Sequence, residues 1–267
     1  MAEGARGDRG SLAESEWRDV VAPQAPIRKW PRHDASLETE ALKGERFAVF
    51  EENDEGWCRG KLVSDGYPGW IPSSALRASA GQPTHRVSAL RTFLFPGPSI
   101  KLPPVESPPL GSRLAIRRFE GDLAETTGGH YVPARHLADL DSREADFVAV
   151  AERFVGSPYL WGGKTNAGID CSGLVQISAA ACGIPCPRDS AVQEKWFGTA
   201  AEPGVDISGL KRGDLLFWPG HVAIACGEGR MIHANAYHMA VAMEPVAEAV
   251  GRIAAAGSAL RAIGRLR

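Results

Sequence analysis

The chain has 267 residues, of which 44% are hydrophobic, and its 30 basic and 32 acidic residues give a formal net charge of -2. This length suits two or three domains that each bury a core of their own. Because basic and acidic residues are intermixed and nearly balanced, neither a nucleic acid nor a membrane is expected as a partner.

The N-terminal segment, residues 1–17, is polar and charged and lacks the apolar run of a signal peptide. No stretch elsewhere approaches the ~18 consecutive apolar residues of a membrane span. The five cysteines are an odd number at irregular spacing, which argues against a disulfide framework and for a reducing compartment. These features predict a cytoplasmic protein, and they leave its oligomeric state open.

An internal repeat occupies much of the N-terminal half. Two pairs of segments match: 44–49 (GERFAV) with 111–116 (GSRLAI), and 70–72 (WIP) with 131–133 (YVP). In both copies, short alternating apolar runs are broken by glycine, proline, asparagine and aspartate, which is typical of antiparallel strands joined by turns. The repeat predicts two small all-β barrels, over residues 18–80 and 81–140.

From residue 142 the apolar spacing becomes helical, with a first helix that stops at Gly156. A second helix is predicted to begin at Cys171, with Asp170 as its cap, and to end before Gly183. Three strands are predicted after it, over residues 214–218, 221–226 and 231–235. We therefore expect one α+β domain over residues 142–267.

Cys171 is the candidate nucleophile. The thiolate is the reactive form of cysteine, and the unpaired N–H groups at a helix N-terminus lower the pKa of a thiol placed there. The backbone N–H of Cys171 could also help to hold an oxyanion. Free cysteines are usually buried packing residues, so the helix position by itself leaves both interpretations open.

A cysteine nucleophile needs an imidazole base and a third group that orients it. His221 and His233 lie on the two strands of a predicted hairpin, and they face the same side only if the hairpin loop has an odd number of residues. The simplest such loop is 227–229 (GEG). Either histidine alone could equally be a polar residue at a sheet edge, and His238 is a spare candidate for the third role.

Five segments, in this order, resemble the NlpC/P60 family of cysteine peptidases, papain-like enzymes that cut bacterial cell-wall peptides: 158–163 (PYLWGG), 168–175 (GIDCSGLV), 187–193 (PRDSAVQ), 213–217 (GDLLF) and 221–224 (HVAI). Residues 66–72 (GYPGWIP) resemble bacterial SH3-type domains. Together they imply a papain-like α+β domain preceded by two SH3-like barrels. That arrangement is similar to the YkfC-type γ-D-glutamyl-L-diamino acid endopeptidases.

The resemblance implies roles for individual residues. Cys171 would be the nucleophile, His221 the base and later the acid, and His233 the residue that orients His221. Tyr159 is implied to lie beside the nucleophile and to help stabilise the oxyanion. Three further residues are implied to line the substrate pocket: Asp170, Asp189 and Ser190.

The first SH3-type domain is implied to wall the pocket, so that only peptides with a free N-terminal L-alanine fit. Glu40 and Tyr67 best match the positions of this wall, and a carboxylate suits a desolvated ammonium group. A solvated loop glutamate and a barrel tyrosine are equally compatible with the sequence. Whether this domain reaches Cys171 is left open.

Structural interpretations compete with the functional ones near these motifs. Asp189 could simply pair with Arg188 or cap the helix that begins at Ser190. Trp161 and Trp218 are expected to be core aromatics rather than substrate platforms.

The resulting hypothesis is a cysteine peptidase that hydrolyses the γ-D-glutamyl–diamino acid bond of short murein peptides and releases L-alanyl-γ-D-glutamate. No metal or organic cofactor is expected. An exported hydrolase of intact peptidoglycan and a catalytically inert murein-peptide-binding protein are the alternatives, and acyl transfer between lipids is disfavoured because no membrane-facing segment is present. The sequence leaves open whether the third residue of the substrate is diaminopimelate or lysine.

Overall fold

The computed structural model describes residues 16–78, 81–200 and 207–266. Most of the N-terminal segment on which the localisation prediction depends, residues 1–15, lies outside the described residues. Within the described ranges, no helix combines the length and the apolar composition needed to cross a bilayer.

The first β unit is a seven-stranded sheet with strand order β3-β2-β6-β5-β4-β1-β7. Its strands are β1 (Glu16–Val20), β2 (Gln24–Arg28), β3 (Leu37–Leu42), β4 (Arg46–Glu52), β5 (Trp57–Leu62), β6 (Pro68–Pro72) and β7 (Leu76–Arg77). All described pairings in it are antiparallel. The unit has its own apolar core, which includes Val20, Ile27, Phe47, Leu62 and Ile71.

The second β unit consists of two three-stranded sheets, β13-β8-β9 and β10-β11-β12. Its strands are β8 (His85–Val87), β9 (Arg113–Leu114), β10 (Ile116–Glu120), β11 (Leu123–Thr126), β12 (Tyr131–Pro133) and β13 (Leu137–Asp139). A separate apolar cluster, which contains Val87, Leu94, Leu114, Ala124 and Val132, forms its core.

The sequence repeat has a matching local structure. Strand β6 is followed by one 3-10 turn, Ser73–Ala75, and then by β7, and strand β12 is followed by Ala134–His136 and then by β13. Gly44 and Gly111 occupy corresponding positions with φ of +80° and +88°, a conformation that glycine adopts without steric cost. At Gly44 a β-carbon would also clash with the carbonyl oxygen of Arg113. The two segments therefore share one architecture, while the domain boundaries at 80 and 140 stay a prediction.

The remaining chain forms an α+β arrangement around a six-stranded sheet with order β16-β21-β17-β18-β19-β20. Its helices are α1 (Phe147–Glu152), α2 (Cys171–Ala181), α3 (Ser190–Phe197) and α4 (Val246–Ala255). Its strands are β14 (Lys164–Thr165), β15 (Gly168–Ile169), β16 (Gly198–Ala200), β17 (Asp214–Trp218), β18 (His221–Gly227), β19 (Arg230–Asn235), β20 (Ala240–Pro245) and β21 (Ala262–Arg265). The three predicted strands and the start of α2 are confirmed, whereas β20, α4 and β21 had no predicted counterpart.

Helices cover both faces of the six-stranded sheet. Period-two alternation sends Phe217 into one apolar cluster with Leu174 of α2 and Leu216 into another with Val246 of α4. Helix α2, which begins at Cys171, thus packs on one face, and α4 packs on the other.

The first β unit packs directly against the α+β domain. Leu42 of β3 belongs to the apolar cluster around α2. The Lys164 side chain is 5% exposed, and its ammonium group lies 3.3 Å from Glu45 Oε2. Gln176 of α2 donates a 2.9 Å hydrogen bond to Asp65. These contacts join the first β unit to α2, the helix that begins at Cys171, while its role as a wall of the pocket stays a prediction.

The hairpin between β18 and β19 places His221 and His233 on the same face, as predicted, but its loop differs from the predicted one. Ala225 pairs with Met231 and Gly227 with Arg230, so an extra residue bulges out of β18 at this step. The loop itself has two residues, Glu228 and Gly229, with φ of 52° and 67°, as a type I′ turn requires. The expected three-residue loop 227–229 is therefore wrong. The two-residue turn and the bulged residue together shift the strand register by the same odd number of residues as a three-residue loop would. The twist of a type I′ turn also matches the right-handed twist of the strands.

Replacement of Glu228 by asparagine is expected to stabilise the protein. Left-handed backbone costs a side chain such as glutamate roughly 1 kcal/mol, and asparagine tolerates it better, so we expect Glu228→Asn to raise the free energy of unfolding by about 0.5–1 kcal/mol. Urea denaturation measures this change. Glu228→Ala, which keeps the strain, is the control, and equal unfolding free energies for the two variants would contradict the turn assignment.

Candidate active site

Cys171 is the first residue of α2, and Asp170 is its N-cap. The Asp170 carboxylate accepts a 2.7 Å hydrogen bond from the backbone N–H of Gly173, which satisfies one of the otherwise unpaired donors of the first turn. The predicted cap is therefore confirmed, and it holds the thiol at the helix terminus.

Asp170 also forms a buried ion pair that the sequence interpretation missed. Arg188 is 3% exposed and Asp170 is 8% exposed, and the guanidinium donates to both carboxylate oxygens at 2.8 and 2.7 Å. The backbone N–H of Gly162 donates a further hydrogen bond of 2.9 Å to this carboxylate. Arg188 therefore pairs with Asp170 rather than with its neighbour Asp189. Because donors within the protein occupy both Asp170 oxygens, this geometry favours a positioning role for Asp170, and direct contact with substrate stays a prediction.

The Cys171 thiol is buried, and its pKa differs from the simplest expectation. Burial, and then the negative charge of Asp170, raise the pKa of Cys171 to about 11, against the lowering effects of the Val222 N–H, Arg188 and the Ser172 N–H. Desolvation thus outweighs the helix N-terminus. The resting group is a neutral thiol beside the start of β18, where His221 precedes Val222.

His221 and His233 lie on the same face of the hairpin and share a 2.8 Å hydrogen bond between Nε2 of His221 and Nδ1 of His233. Burial, followed by the proximity of His233, lowers the pKa of His221 to about 3, and burial also lowers the pKa of His233. Both imidazoles are therefore neutral at pH 7. The bond occupies Nε2 of His221, and the tautomers of the two rings decide whether the other nitrogen, Nδ1, can accept a proton.

Two further residues extend this hydrogen-bond network past His233, and the sequence analysis did not identify them. Glu244 of β20 lies 2.6 Å from Nε2 of His233, and Arg252 of α4 donates to both Glu244 oxygens at 2.6 and 2.7 Å. Their recognition requires the register of β19 against β20, in which Met231 pairs with Glu244. The run 240–245 (AVAMEP) carries too little alternation to signal a strand.

Tyr159 contributes a phenol next to the nucleophile. Burial, and then the charges of Cys171 and Asp170, raise the pKa of Tyr159 to about 12, so the phenol is protonated and can donate. The backbone N–H of Tyr159 donates to Met239 at 2.9 Å, which anchors its loop to the segment before β20. This placement agrees with the oxyanion role implied by the resemblance, which stays a prediction.

The first β unit contributes directly to the region of Asp189. The phenol of Tyr67 donates a 3.1 Å hydrogen bond to Asp189 Oδ1. Asp189 is at the N-cap position of α3, yet its side chain makes no capping bond, so the capping interpretation is wrong. Ser190 is the first residue of α3. The proposed pocket residues Tyr67, Asp189 and Ser190 are thus brought together from two domains.

Glu40 is a buried residue of β3, 4% exposed, and not a solvated loop glutamate. Its carboxylate accepts hydrogen bonds from Gln24 Nε2 at 2.5 Å and from the backbone N–H of Lys164 at 2.8 Å. Burial raises the pKa of Glu40, although these two bonds and the charges of Lys164 and Arg188 oppose the rise. In this geometry Glu40 joins the first β unit to strand β14.

The two tryptophans differ in exposure. Trp218 is 1% exposed and belongs to the core, as expected, whereas Trp161 is 66% exposed and the expectation for it is wrong. Trp161 precedes Gly162, whose φ of +78° and close approach to the Leu37 backbone keep this turn tight at the domain junction. The turn therefore leaves the indole on the surface.

One group of side chains in the described part of the chain has metal-ligand composition. His233, His238 and Glu244 place ligand atoms within 4.8 Å of one another. However, Glu244 bonds to His233 and to both donors of Arg252, and the guanidinium charge opposes a cation at this position. His238 Nδ1 shares a 3.0 Å bond with Asn235 Oδ1. These contacts describe a hydrogen-bond network.

Comparisons with protein families match two parts of the chain. Residues 156–252 match the NlpC/P60 family, and residues 27–76 match the bacterial dipeptidyl-peptidase SH3 domain. The first match contains Cys171, His221 and His233, and the second contains Glu40 and Tyr67.

Two similar proteins carry the name gamma-D-glutamyl-L-lysine dipeptidyl-peptidase. The one from Bacillus cereus is 26% identical over 86% of this chain and 77% of its own length. The one from Bacillus subtilis is 28% identical over 80% of this chain and 81% of its own length. A crystal structure of an NlpC/P60 family protein from Bacillus cereus superposes with a TM-score of 0.76 at 22% identity, over 94% of this chain and 99% of that one, which shows a common fold.

The protonation state of Cys171 can be measured directly. Since burial raises its pKa to about 11, we expect the thiolate ultraviolet absorbance, taken as the difference between the wild type and Cys171→Ala, to be absent at pH 7 and to develop only in strongly alkaline solution. The same absorbance difference, taken between the wild type and Cys182→Ala, is the control, because it reports the titration of a different thiol. Full thiolate absorbance of Cys171 at pH 7 would contradict the neutral resting state.

Proposed function

Because the chain carries an NlpC/P60 domain behind a bacterial dipeptidyl-peptidase SH3 domain, we propose that it is a cysteine peptidase that hydrolyses the bond between γ-D-glutamate and the diamino acid of short murein peptides. The observation that carries the proposal is the hydrogen-bonded pair His221 and His233 beside the helix that begins at Cys171. A thiol at a helix terminus, a neutral imidazole and an orienting group are the parts of a nucleophilic triad.

The reaction begins with a neutral pair. Nδ1 of His221 takes the proton of the Cys171 thiol as Sγ attacks the γ-carbonyl carbon, which gives a tetrahedral oxyanion and an imidazolium. The two charges, on the oxyanion and on the imidazolium of His221, form only as the reaction proceeds. The resting protein therefore does not have to hold a thiolate beside an imidazolium. The backbone N–H of Cys171 and the phenol of Tyr159 are the donors proposed to face the oxyanion.

Collapse of the tetrahedral species breaks the carbon–nitrogen bond, and the imidazolium of His221 protonates the departing α-amine of the diamino acid. A thioester of L-alanyl-γ-D-glutamate remains on Cys171. Water, deprotonated by the same imidazole, then attacks the thioester, and the thiol and the free γ-carboxylate are regenerated. One imidazole thus acts as base, acid, base and acid again, because the imidazolium returns the proton taken from water to the departing thiolate, and the carboxylic acid that forms loses its proton to solvent.

Selection for a free N-terminal amine is proposed to come from the junction of the two domains. Asp189 presents a carboxylate that Tyr67 holds through a 3.1 Å hydrogen bond, and buried Glu40 fixes the first β unit against Lys164. A carboxylate held in place offers an ammonium group a charge-assisted bond. This wall suits short peptides rather than crosslinked murein, so we propose peptide recycling as the role. The cytoplasmic location stays a prediction.

The substrate assay tests the proposal. The protein is incubated with L-Ala-γ-D-Glu linked to diaminopimelate or to L-lysine, and with the N-acetylated forms of both, and the products are followed by mass. We expect release of L-Ala-γ-D-Glu from at least one free peptide, much slower release from its acetylated form, and no release by Cys171→Ala. Equal cleavage of free and acetylated peptides would refute the amine selection and support the exported-hydrolase alternative. Absence of all cleavage would support the binding-protein alternative.

The contribution of Tyr67 is a separate prediction. Tyr67→Phe removes a hydrogen bond to a carboxylate, an interaction worth about 1.5–3 kcal/mol, so we expect KM for the free peptide to rise by roughly tenfold or more while kcat changes little. Steady-state kinetics measure both parameters. Tyr131→Phe in the second β unit is the matched control, and equal KM values for the two variants would show that Tyr67 has no part in binding.

A further inference from the structure

Glu244 stands out because neither the motifs nor the resemblance points to it, yet it contacts the proposed triad directly. It lies on β20, and the register places it on the same sheet face as His233, which pairs with Ala242 two residues earlier. The residue is 8% exposed. Its Oε1 lies 2.6 Å from Nε2 of His233, on the side of that ring away from His221.

Arg252 keeps Glu244 ionised. Its guanidinium donates to Oε2 at 2.6 Å and to Oε1 at 2.7 Å, and it is packed over the ring of Tyr237 at 4.2 Å. Burial opposes ionisation of Glu244, but the hydrogen bonds from Arg252 and His233 outweigh it and lower the pKa of Glu244 to about 2. At neutral pH Glu244 is therefore a carboxylate, which can only accept hydrogen bonds.

The positions of the protons on His233 and His221 then follow from which atoms in the series Glu244, His233 and His221 can donate and which can accept. Nε2 of His233 must carry a hydrogen because Glu244 has none to give. Burial, with Arg252 and His238 adding to it, lowers the pKa of His233, although the hydrogen bond and the charge of Glu244 oppose this shift. His233 is therefore neutral at pH 7, and its Nδ1 is an acceptor. Nε2 of His221 must donate to that acceptor. A neutral His221 then has its lone pair on Nδ1.

We propose that Glu244, paired with Arg252, is a positioning residue that fixes the tautomer of His233 and, through it, leaves Nδ1 of His221 unprotonated as the base for Cys171. That Nδ1 of His221 acts as a base for Cys171 rests on the proposed peptidase function. The positions of the protons on His233 and His221 do not depend on that function. The opposite order would put a hydrogen on Nδ1 of His221, and such an imidazole cannot take the proton of a thiol.

The charge of Glu244 has a second effect. It raises the pKa of His221, against burial and the proximity of His233, and so favours the imidazolium that forms when the thiol proton is transferred. Arg252 at the far side prevents the proton from moving on to Glu244. The proton therefore stays on His221, where the leaving amine needs it.

Ring nitrogen-15 NMR of the full-length resting protein reads the tautomers without any turnover, and histidine→asparagine variants assign the signals. We expect protonated Nε2 and unprotonated Nδ1 on both His233 and His221 in the wild type. In Glu244→Ala we expect this pattern to be lost, and kcat/KM for the free peptide to fall by about 10–100-fold, mainly through kcat. Glu244→Gln, whose amide oxygen can still accept from His233, should fall between the two, and it serves as the test if Glu244→Ala does not fold.

Glu248→Ala is the matched control, because Glu248 is an exposed acidic residue of α4 that also interacts with Arg252. We expect it to leave the tautomers and kcat/KM unchanged. A wild-type spectrum with the proton on Nδ1 of His233, or a folded Glu244→Ala with unchanged tautomers and kcat/KM, overturns the proposal. A wild type that shows the expected tautomers but cleaves no peptide leaves the positioning role intact and refutes the proposed function instead.

Discussion

The buried ion pair between Asp170 and Arg188 is the interaction on which the rest of the site depends. Asp170 accepts from the first turn of α2 and from Gly162, while Arg188 donates to Asp170 and to Thr39 of the first β unit. One pair thus joins the helix that begins at Cys171, the loop that contains Tyr159 and Gly162, and the first β unit. Removal of one partner from such a pair leaves an uncompensated buried charge, which costs about 3–5 kcal/mol, so the arrangement is held as a unit.

Desolvation sets the chemistry of the reactive groups. Burial raises the pKa of Cys171 and lowers the pKa of His221, because each charged form by itself is unfavourable in a dry environment. The resting site is therefore a neutral thiol and a neutral imidazole. A neutral imidazole can act as a base only if its lone pair faces the thiol, and for this reason the hydrogen-bond order through His233 to Glu244 matters.

The first β unit is packed against the α+β domain through buried polar contacts beside the candidate site. Lys164 is buried between the domains and bonds through its ammonium group to Glu45 and through its backbone N–H to Glu40. Tyr67 reaches Asp189 across the same junction. Buried polar contacts of this kind are stable only when every partner is in place. The junction therefore keeps a defined geometry around the proposed amine-binding region, which supports selection for short peptides.

The sequence by itself determined the local features. Asp170 before Cys171 identified a capped helix start because capping depends on adjacent residues, the repeat of 44–49 in 111–116 indicated two β units, and short apolar runs located β17, β18 and β19. Only the tertiary structure decided which side chains meet. Arg188 pairs with Asp170 and not with its neighbour Asp189. Glu244 contacts His233 because of the register of β20, a strand that was not predicted. Trp161 is exposed. These outcomes depend on charge burial and strand pairing between distant segments, which no local pattern encodes.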